Sequence, residues 1–457
     1  MEFETIFPSS ENSSDLDLSF TSCTSNTSTD RSTTTLSARS SLTLSFNEAR
    51  LSTSTTYRPH RKSDPHWSAI NAATNLSSDG TLQLPHLKLL RHLGSGNLGR
   101  VFLCRLKDCE HTGANFALKV IDRDAVTLKK LSHVQMESEI LSVVDHPFLP
   151  TLYAHLEVSH YTCLLIDYCS NGDLHALMRK QPGNRFKLNA VRFYASEVLV
   201  ALEYLHALGV VYRDLKPENV LIREDGHIML SDFDLCFKAD VFPTVEKKVT
   251  KPSASSKSRF FFGCFGSRKE QFSTEFVAEP VTASSRSCVG THEYLAPELV
   301  TGNGHGNGVD WWAFGVFIFE LLYGRTPFKG ATKEDTLRNI AGCSKQFKFH
   351  PQGDSVEEEE GMAEVKDLIS MLLVKDTRTR LGCARGATEI KAHPFFKDIK
   401  WPLIRTYRAP EVRGLERKSP CLSKHVRNRG SWPSLKKIRG IIRRSASFNS
   451  TSNTRCR

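Results

Sequence analysis

The chain lacks paired cysteines. Its 12 cysteines are scattered singly, without the Cys-x-x-Cys spacing of a zinc site or the density of a small secreted scaffold. They are expected to be reduced thiols in a cytosolic compartment. It also lacks a long apolar run: the best, residues 311–323, is interrupted by Glu320 and too short for a bilayer core of about 30 Å. The opening MEFETIF carries acids where a secretory leader has a basic region and an apolar stretch, so no such signal is expected. There is no internal repeat. GNGHGNG at 302–308 has no following Lys-Ser/Thr and is not a P-loop. From residue 8 to about 79 the deficit is in large apolar side chains. Ser and Thr dominate there, too little surface can be buried to offset ordering entropy, and disorder is expected.

Charge is unevenly placed. The 457 residues sum to +11, yet residues 401–457 hold fifteen Lys/Arg against Glu411 and Glu416, a local balance of +13. The other 400 residues sum to −2. Ordered patterning begins near Leu82, where LKLLRHLGSGNLGRVFLCRL and NFALKVID predict short strands around a turn. The apolar spacing of residues 132–144 predicts a helix. Beyond residue 170, LHALM, AVRFYASEVLVALEYLHALG and WWAFGVFIFELLYG predict helices with apolar stripes. A Ser-, Lys- and Phe-rich stretch after Lys238 fits neither pattern and is expected to be an inserted loop; EEEE at 357–360 is expected to be solvated.

Gly94, Ser95, Gly96, Asn97, Leu98 and Gly99 match Gly-x-Gly-x-x-Gly, a weak signal alone because dinucleotide folds use the same string. Here a second strand follows, so the loop closes a hairpin whose glycines let backbone N–H groups approach phosphate oxygens. Lys119, twenty residues beyond Gly99 on a predicted strand, would need an anionic partner, and Glu137 on the predicted helix is the candidate. VVYRDLKPENVLI sets Asp214, Lys216 and Asn219 in one loop, suited to accepting a hydroxyl proton, neutralising a transferring phosphoryl group and holding a metal ion.

These motifs, in this order from about Leu87 to Phe396, resemble the eukaryotic protein kinase family. Ala296-Pro297-Glu298, Asp310 before Trp311-Trp312, and Arg380 as ion-pair partner of Glu298 agree with it. YRD, DHPFLPTLY and HPFF are similar to the AGC group; Asp232-Phe233-Asp234 with a basic insertion is similar to its plant AGC VIII branch, nearest the PINOID and WAG kinases of auxin transport control. The resemblance implies an α+β, two-lobed fold. Its expected parts are a disordered 1–86, a kinase domain at 87–396 with lobes at 87–169 and 170–396, an insertion at about 238–284 and a basic tail at 397–457.

The resemblance also implies roles. Val101, Ala117 and Leu221 would enclose adenine, Asp167 and Cys169 form the hinge, and Asp173 contacts ribose, although core packing is an alternative for the three apolar residues. Mg²⁺ would sit on Asp232 and Asn219, Lys119 fixed by Glu137 would orient ATP phosphates, and Asp214 and Lys216 would be catalytic. KPEN implies Ser/Thr specificity; Glu218 and Asp173 offer carboxylates to substrate arginines. Ser287 matches the activation-loop phosphosite, to be modified by itself or an upstream kinase, with Arg213 and His133 as phosphate contacts. Protein substrates, by resemblance auxin efflux carriers, are the expected partners.

Asp234 replaces the family's glycine. Glycine tolerates positive φ, and Asp is among the less unfavourable replacements, so Asp234 is expected to stiffen the segment and leave the chemistry intact. A catalytically weak scaffold is the alternative, against which stands the retention of Lys119, Glu137, Asp214, Lys216, Asn219 and Asp232. Finally, Lys247, Lys248, Lys251, Lys257, Arg259, Arg268 and Lys269 surround Phe260, Phe261, Phe262 and Phe265, and the tail carries LKKIRGIIRR. Together these suggest binding to an anionic membrane surface, with Cys264 as a site for acylation, rather than to nucleic acid; nuclear localisation is a further reading. The tail has only Phe448 where many AGC kinases have Phe-x-x-Phe, which leaves docking of the tail on the small lobe in question.

Overall fold

The computed structural model describes residues 59–62, 64–75, 80–96, 98–107, 114–249, 272–287, 289–342, 349 and 361–416. Two helices come first, α1 (Pro59–Lys62) and α2 (Pro65–Asn75). A five-stranded antiparallel sheet follows, built from β1 (Leu87–Ser95), β2 (Arg100–Leu106), β3 (Phe116–Asp122), β4 (Leu152–Val158) and β5 (Tyr161–Asp167) in the order β1-β2-β3-β5-β4. Between β3 and β4 runs α3 (Leu128–Val143), started by Thr127, whose hydroxyl accepts the Lys130 N–H. Val134, Glu137 and Leu141 are buried at i, i+3 and i+7, so one stripe of α3 carries both its core contacts and its one buried carboxylate.

The second lobe is helical. It comprises α4 (Leu174–Arg179), α5 (Leu188–Ala207), α6 (Pro297–Thr301), α7 (Gly308–Tyr323), α8 (Lys333–Ala341), α9 (Met362–Leu372) and α10 (Ala387–Lys391). Short antiparallel pairs border the cleft: β6 (Val210–Val211) with β9 (Phe237–Lys238), and β7 (Val220–Ile222) with β8 (Ile228–Leu230). In α7, Trp311, Trp312, Phe314 and Phe317 are all buried, which explains why its sequence is apolar almost all round. No helix of the described residues is long and apolar enough to cross a membrane.

Three boundaries differ from the sequence expectation. Disorder was expected through residue 86, but α2 seats Ala69, Ile70 and Ala73 in the small-lobe core with Leu89, Phe102 and Phe116. Three small or medium apolar residues suffice here because a preformed sheet receives them; burial of Ile70 alone stabilises by about 1.5–3 kcal/mol. The insertion expected at 238–284 has a regular base, an antiparallel hairpin of β10 (Thr244–Val249) and β11 (Phe272–Val277). The start of the tail packs on the second lobe: Ile404 and Ala409 are buried, Gln181 exchanges hydrogen bonds with the Arg413 backbone at 2.8 and 3.0 Å, and Arg405 pairs with Asp225 at 2.6 Å.

Candidate active site

The cleft between the lobes is assembled from four pieces of chain. Gly94 and Ser95 end β1 opposite Val101 and Arg100, and the Gly96 N–H donates to the Gly99 carbonyl at 2.9 Å, closing a tight turn. A Cβ at Gly99 would lie 2.4 Å from the Val120 carbonyl oxygen, so only glycine lets the loop lie on β3. Leu98 is buried against Ile121 and Val134, tying the loop to α3; Asn97 lies outside the described residues. Val101 sits opposite Lys119 across β2 and β3, and Ala117 stands between Leu103 and Ile166.

Lys119 donates to both oxygens of Glu137 at 2.7 and 2.6 Å and to Asp232 at 3.3 Å. Burial lowers the ammonium's pKa, but the Glu137 and Asp232 carboxylates outweigh it and hold Lys119 above the ordinary lysine value. In the loop after β6, Lys216 Nζ donates to Asp214 at 2.7 Å and to the Thr291 hydroxyl at 2.9 Å, and that hydroxyl lies 3.3 Å from the second Asp214 oxygen. Asn219 Nδ2 donates to the Asp214 carbonyl and carboxylate at 2.9 and 2.8 Å. From beneath, Asp310 accepts the Tyr212 and Arg213 N–H groups, each at 2.7 Å, which fixes the backbone of this loop to α7. The Asp214 carboxylate is thus held in one orientation by three side chains.

The backbone expectation for Asp234 is corrected. Of the non-glycine residues at positive φ, Asp232 (φ 60°) and Arg213 (φ 65°) are the two in this site, and Asp234 is not among them. Its carboxyl is buried, Oδ1 has no hydrogen-bond partner among the described residues, and burial, then the Asp232 charge, pushes its pKa up to about 7. With the Asn219 amide nitrogen committed to Asp214, the groups here that could take a cation offer oxygens: Asn219 Oδ1, the partly exposed Asp232 carboxylate and the orphaned Asp234 atom. Such a set of hard oxygen donors, with carboxylates outnumbering Lys119, fits Mg²⁺.

The protein kinase domain family matches residues 87–252 and 270–396. The chain is 60% identical over an alignment of 473 positions to serine/threonine-protein kinase WAG1 of Arabidopsis thaliana, covering 96% of each chain. It is 64% identical to serine/threonine-protein kinase WAG2 of the same plant, covering 88% of this chain and 84% of the relative. Against protein kinase PINOID 2 of Oryza sativa subsp. japonica the identity is 43%, over 78% and 83%. The chain belongs to the protein kinase family, as a plant AGC kinase of the PINOID/WAG type.

As a serine/threonine-protein kinase it uses ATP and a divalent metal, generally Mg²⁺. Other anticipated positions are found as follows. Glu298 and Arg380 form a two-pronged pair at 2.6 and 2.8 Å. Asp167 ends β5 with its carboxylate held by the Thr151 N–H and the Tyr153 hydroxyl, and Cys169 is buried against Met229, its thiol pushed up to about 12 by burial. Asp173 caps α4 through the Ala176 N–H and bridges to Leu221. Glu218 is half exposed beside His175. Ser287 accepts from Arg213 Nη1 at 2.6 Å, while burial, then Lys129 and Arg213, lowers the His133 pKa.

Sequence reasoning missed Thr291 as a contact of Asp214. It also missed Glu320, which accepts the Tyr294 hydroxyl and lies with Glu293 on the Glu218 side of the kinase. An acid in the middle of the apolar run from Trp311 to Tyr323 was the available signal. The insertion's basic and Phe-rich core, Cys264 and the LKKIRGIIRR tail lie outside the described residues.

Proposed function

We propose that this kinase transfers the terminal phosphoryl group of ATP, with Mg²⁺ as its metal, to Ser or Thr hydroxyls preceded by basic residues. Its substrates are auxin efflux carriers, as the resemblance to the PINOID and WAG kinases implies, and its place is the cytoplasmic side of the plasma membrane. The observation that carries the chemical reading is the triangle of Asp214, Lys216 and Thr291 facing the Lys119–Glu137 pair across one cleft. The hydroxyl proton passes to Asp214, whose carboxylate is already oriented. Lys216 stabilises negative charge on the group in transit, and Lys119, kept charged by Glu137, orients the phosphates under the backbone N–H groups of the Gly94 to Gly99 turn. Asp232 and Asn219 are the residues that would hold the metal, which would supply charge neutralisation to the phosphate oxygens. Val101, Ala117 and Leu221 enclose adenine beside the Asp167 to Cys169 connection, and Asp173 meets the ribose.

Glu218, with Glu293 and Glu320 near it, attracts the basic residues before the acceptor. Phosphate on Ser287, placed there by the enzyme itself or by an upstream kinase, adds about −1.5 to −2 charge beside Arg213 and His133 and ties the lobes together. The insertion and tail bind an anionic leaflet through their Lys and Arg, about 1 kcal/mol each near the surface, with Phe side chains inserted.

The reaction is tested with purified protein and radiolabelled ATP: wild type labels a basic Ser peptide, and absence of labelling with ATP still bound would leave a scaffold. Ser287→Ala as active as wild type removes the switch. Phosphoproteomics of cells carrying wild type against Asp214→Asn identifies substrates; unchanged carrier phosphosites reject the auxin reading. Equal cosedimentation with anionic and neutral vesicles rejects the membrane reading.

A further inference from the structure

The segment at 59–75 lies ahead of the residues matched by the kinase domain family, yet it grips two parts of the molecule on which the cleft depends. The first is the end of α3. The His60 and Arg61 N–H groups donate to the two oxygens of Asp145 at 3.2 and 2.9 Å, just past the helix. The buried Arg61 guanidinium donates from Nη2 to the carbonyls of Leu141 at 2.7 Å and Val144 at 3.2 Å. A helix C-terminus leaves such carbonyls without partners and favours a cation, so Arg61 supplies both hydrogen bonds and charge complementarity. Glu137 sits one turn before Leu141 on the same helix.

The second grip is on the connection between the lobes. The Tyr153 hydroxyl lies 2.5 Å from Asp64 Oδ2 and 3.0 Å from Asp167 Oδ1, while the other Asp167 oxygen accepts the Thr151 N–H at 2.8 Å. Asp167 ends β5, two residues before Cys169. His66 packs on Phe116 and Tyr153 and Trp67 on Tyr153 at centroid distances of 5.6 to 6.4 Å, with Phe116 and Tyr153 themselves 5.1 Å apart, holding the start of α2 over this corner.

We propose that residues 59–75 are a brace that sets α3 and the interlobe connection relative to each other, with Arg61 and Asp64 as positioning residues for phosphoryl transfer. This rests on the roles given above to Lys119, Glu137 and the Asp167 connection. Arg61 acts through α3 on the Glu137–Lys119 pair, which orients phosphates, so its loss lowers kcat. Asp64 acts through Tyr153 on Asp167, beside the adenine side of the cleft, so its loss raises KM for ATP.

The test uses the full chain with Arg61→Ala, Arg61→Lys, Asp64→Ala and, as reference, Glu137→Gln. For each, kcat and KM for ATP on a basic Ser peptide are measured well below the variant's melting temperature, with the Kd for Mg-ATP from calorimetry. Arg61→Ala is expected to lose about fivefold or more in kcat, with Arg61→Lys recovering most of it, and Asp64→Ala to raise KM and Kd about threefold or more at near-normal kcat. If Arg61→Ala fails to fold, Arg61→Lys and Tyr153→Phe, which removes only the bridging hydroxyl, carry the same comparison. Constants within twofold of wild type in the Arg61 and Asp64 variants, beside an impaired Glu137→Gln, overturn the brace even if the melting temperature drops. A normal kcat in Glu137→Gln overturns the parent assignment and, with it, the route through α3.

Discussion

Two buried charge centres lie within a few residues of the catalytic loop, and they are built on opposite plans. In the cleft, Lys119 meets Glu137 and Asp232, Asp232 is partly open to solvent, and Asp234 Oδ1 has no partner among the described residues. Below the loop, His206 lies between Glu279 and Asp310 at 2.8 Å from each. There every carboxylate oxygen is engaged: Glu279 also accepts from Asn307 and the Ala387 N–H, and Asp310 from the Tyr212 and Arg213 N–H groups. Even the backbone makes room, since a Cβ at Gly386 (φ 60°) would lie 1.7 Å from Glu279 Oε1. The closed centre has all its acceptors paired inside the protein, whereas the open one keeps oxygen acceptors for something that arrives from solution. Unsatisfied capacity marks the reactive site; completeness marks the foundation.

The contrast is broken most severely at the open centre. Asp214→Asn or Asp232→Asn is expected to cut phosphoryl transfer by about 100-fold or more while the melting temperature shifts little, measured by peptide phosphorylation and calorimetry on the same preparation. More than about a tenth of the wild-type rate would contradict the assignment. The closed centre responds in the other currency: His206→Ala leaves two carboxylates buried without their cation and is expected to cost about 3–5 kcal/mol in denaturant unfolding.

The same triad makes a prediction about pH. Burial lowers the His206 pKa, but Glu279 and Asp310 raise it to about 10, above the ordinary 6.5. The folded state therefore binds the proton more tightly than the unfolded state. Its contribution is complete below pH 6.5 and is lost as pH rises through about 10, at up to about 1.4 kcal/mol per pH unit. Urea midpoints should fall from pH 7 to 9 in wild type more steeply than in His206→Gln; parallel profiles would place the charge elsewhere. The smallest effect is expected at Asp234→Gly, which removes a buried carboxyl whose Oδ1 has no partner among the described residues, a penalty of about 1–3 kcal/mol, and adds about 0.5–1 kcal/mol of backbone entropy cost. Without nucleotide the variant should melt slightly higher than wild type.

Much of the cleft was legible because its groups lie in short runs whose spacing is itself the signal. Gly94 to Gly99 and Asp214 to Asn219 are of this kind, Asp232 was reached through the resemblance to the kinase family, and Lys119 found Glu137 because a strand lysine of that sort demands a carboxylate. The short strands around the Gly94 to Gly99 turn and the long helices followed from apolar patterning, and the two-lobed arrangement from the resemblance to the kinase family. What stayed hidden depends on distance along the chain: Glu279 reaches His206 across 73 positions, Arg61 reaches Leu141 across 80, and neither local window looks unusual. α2 was missed because Ala69, Ile70 and Ala73 are sparse apolar residues in a polar stretch, and their burial depends on a sheet that forms elsewhere. The left-handed backbone was assigned to the position of the missing glycine, while the strain sits two residues earlier, at Asp232.

The hairpin at the base of the insertion has a consequence for how this chain can vary. Thr244–Val249 pairs residue for residue with Phe272–Val277, and Glu279 follows two positions later, locked under the catalytic loop. Both ends of the 22 residues between Val249 and Phe272 are therefore held at the spacing of adjacent strands. Closing a loop costs entropy that grows with the logarithm of its length, about 0.6 kcal/mol for each doubling. Lengthening that stretch twofold would disturb the domain less than deleting one well-packed methyl group. The kinase core is in this respect a fixed clasp, set by the register of β10 on β11 and by Glu279 beneath the catalytic loop.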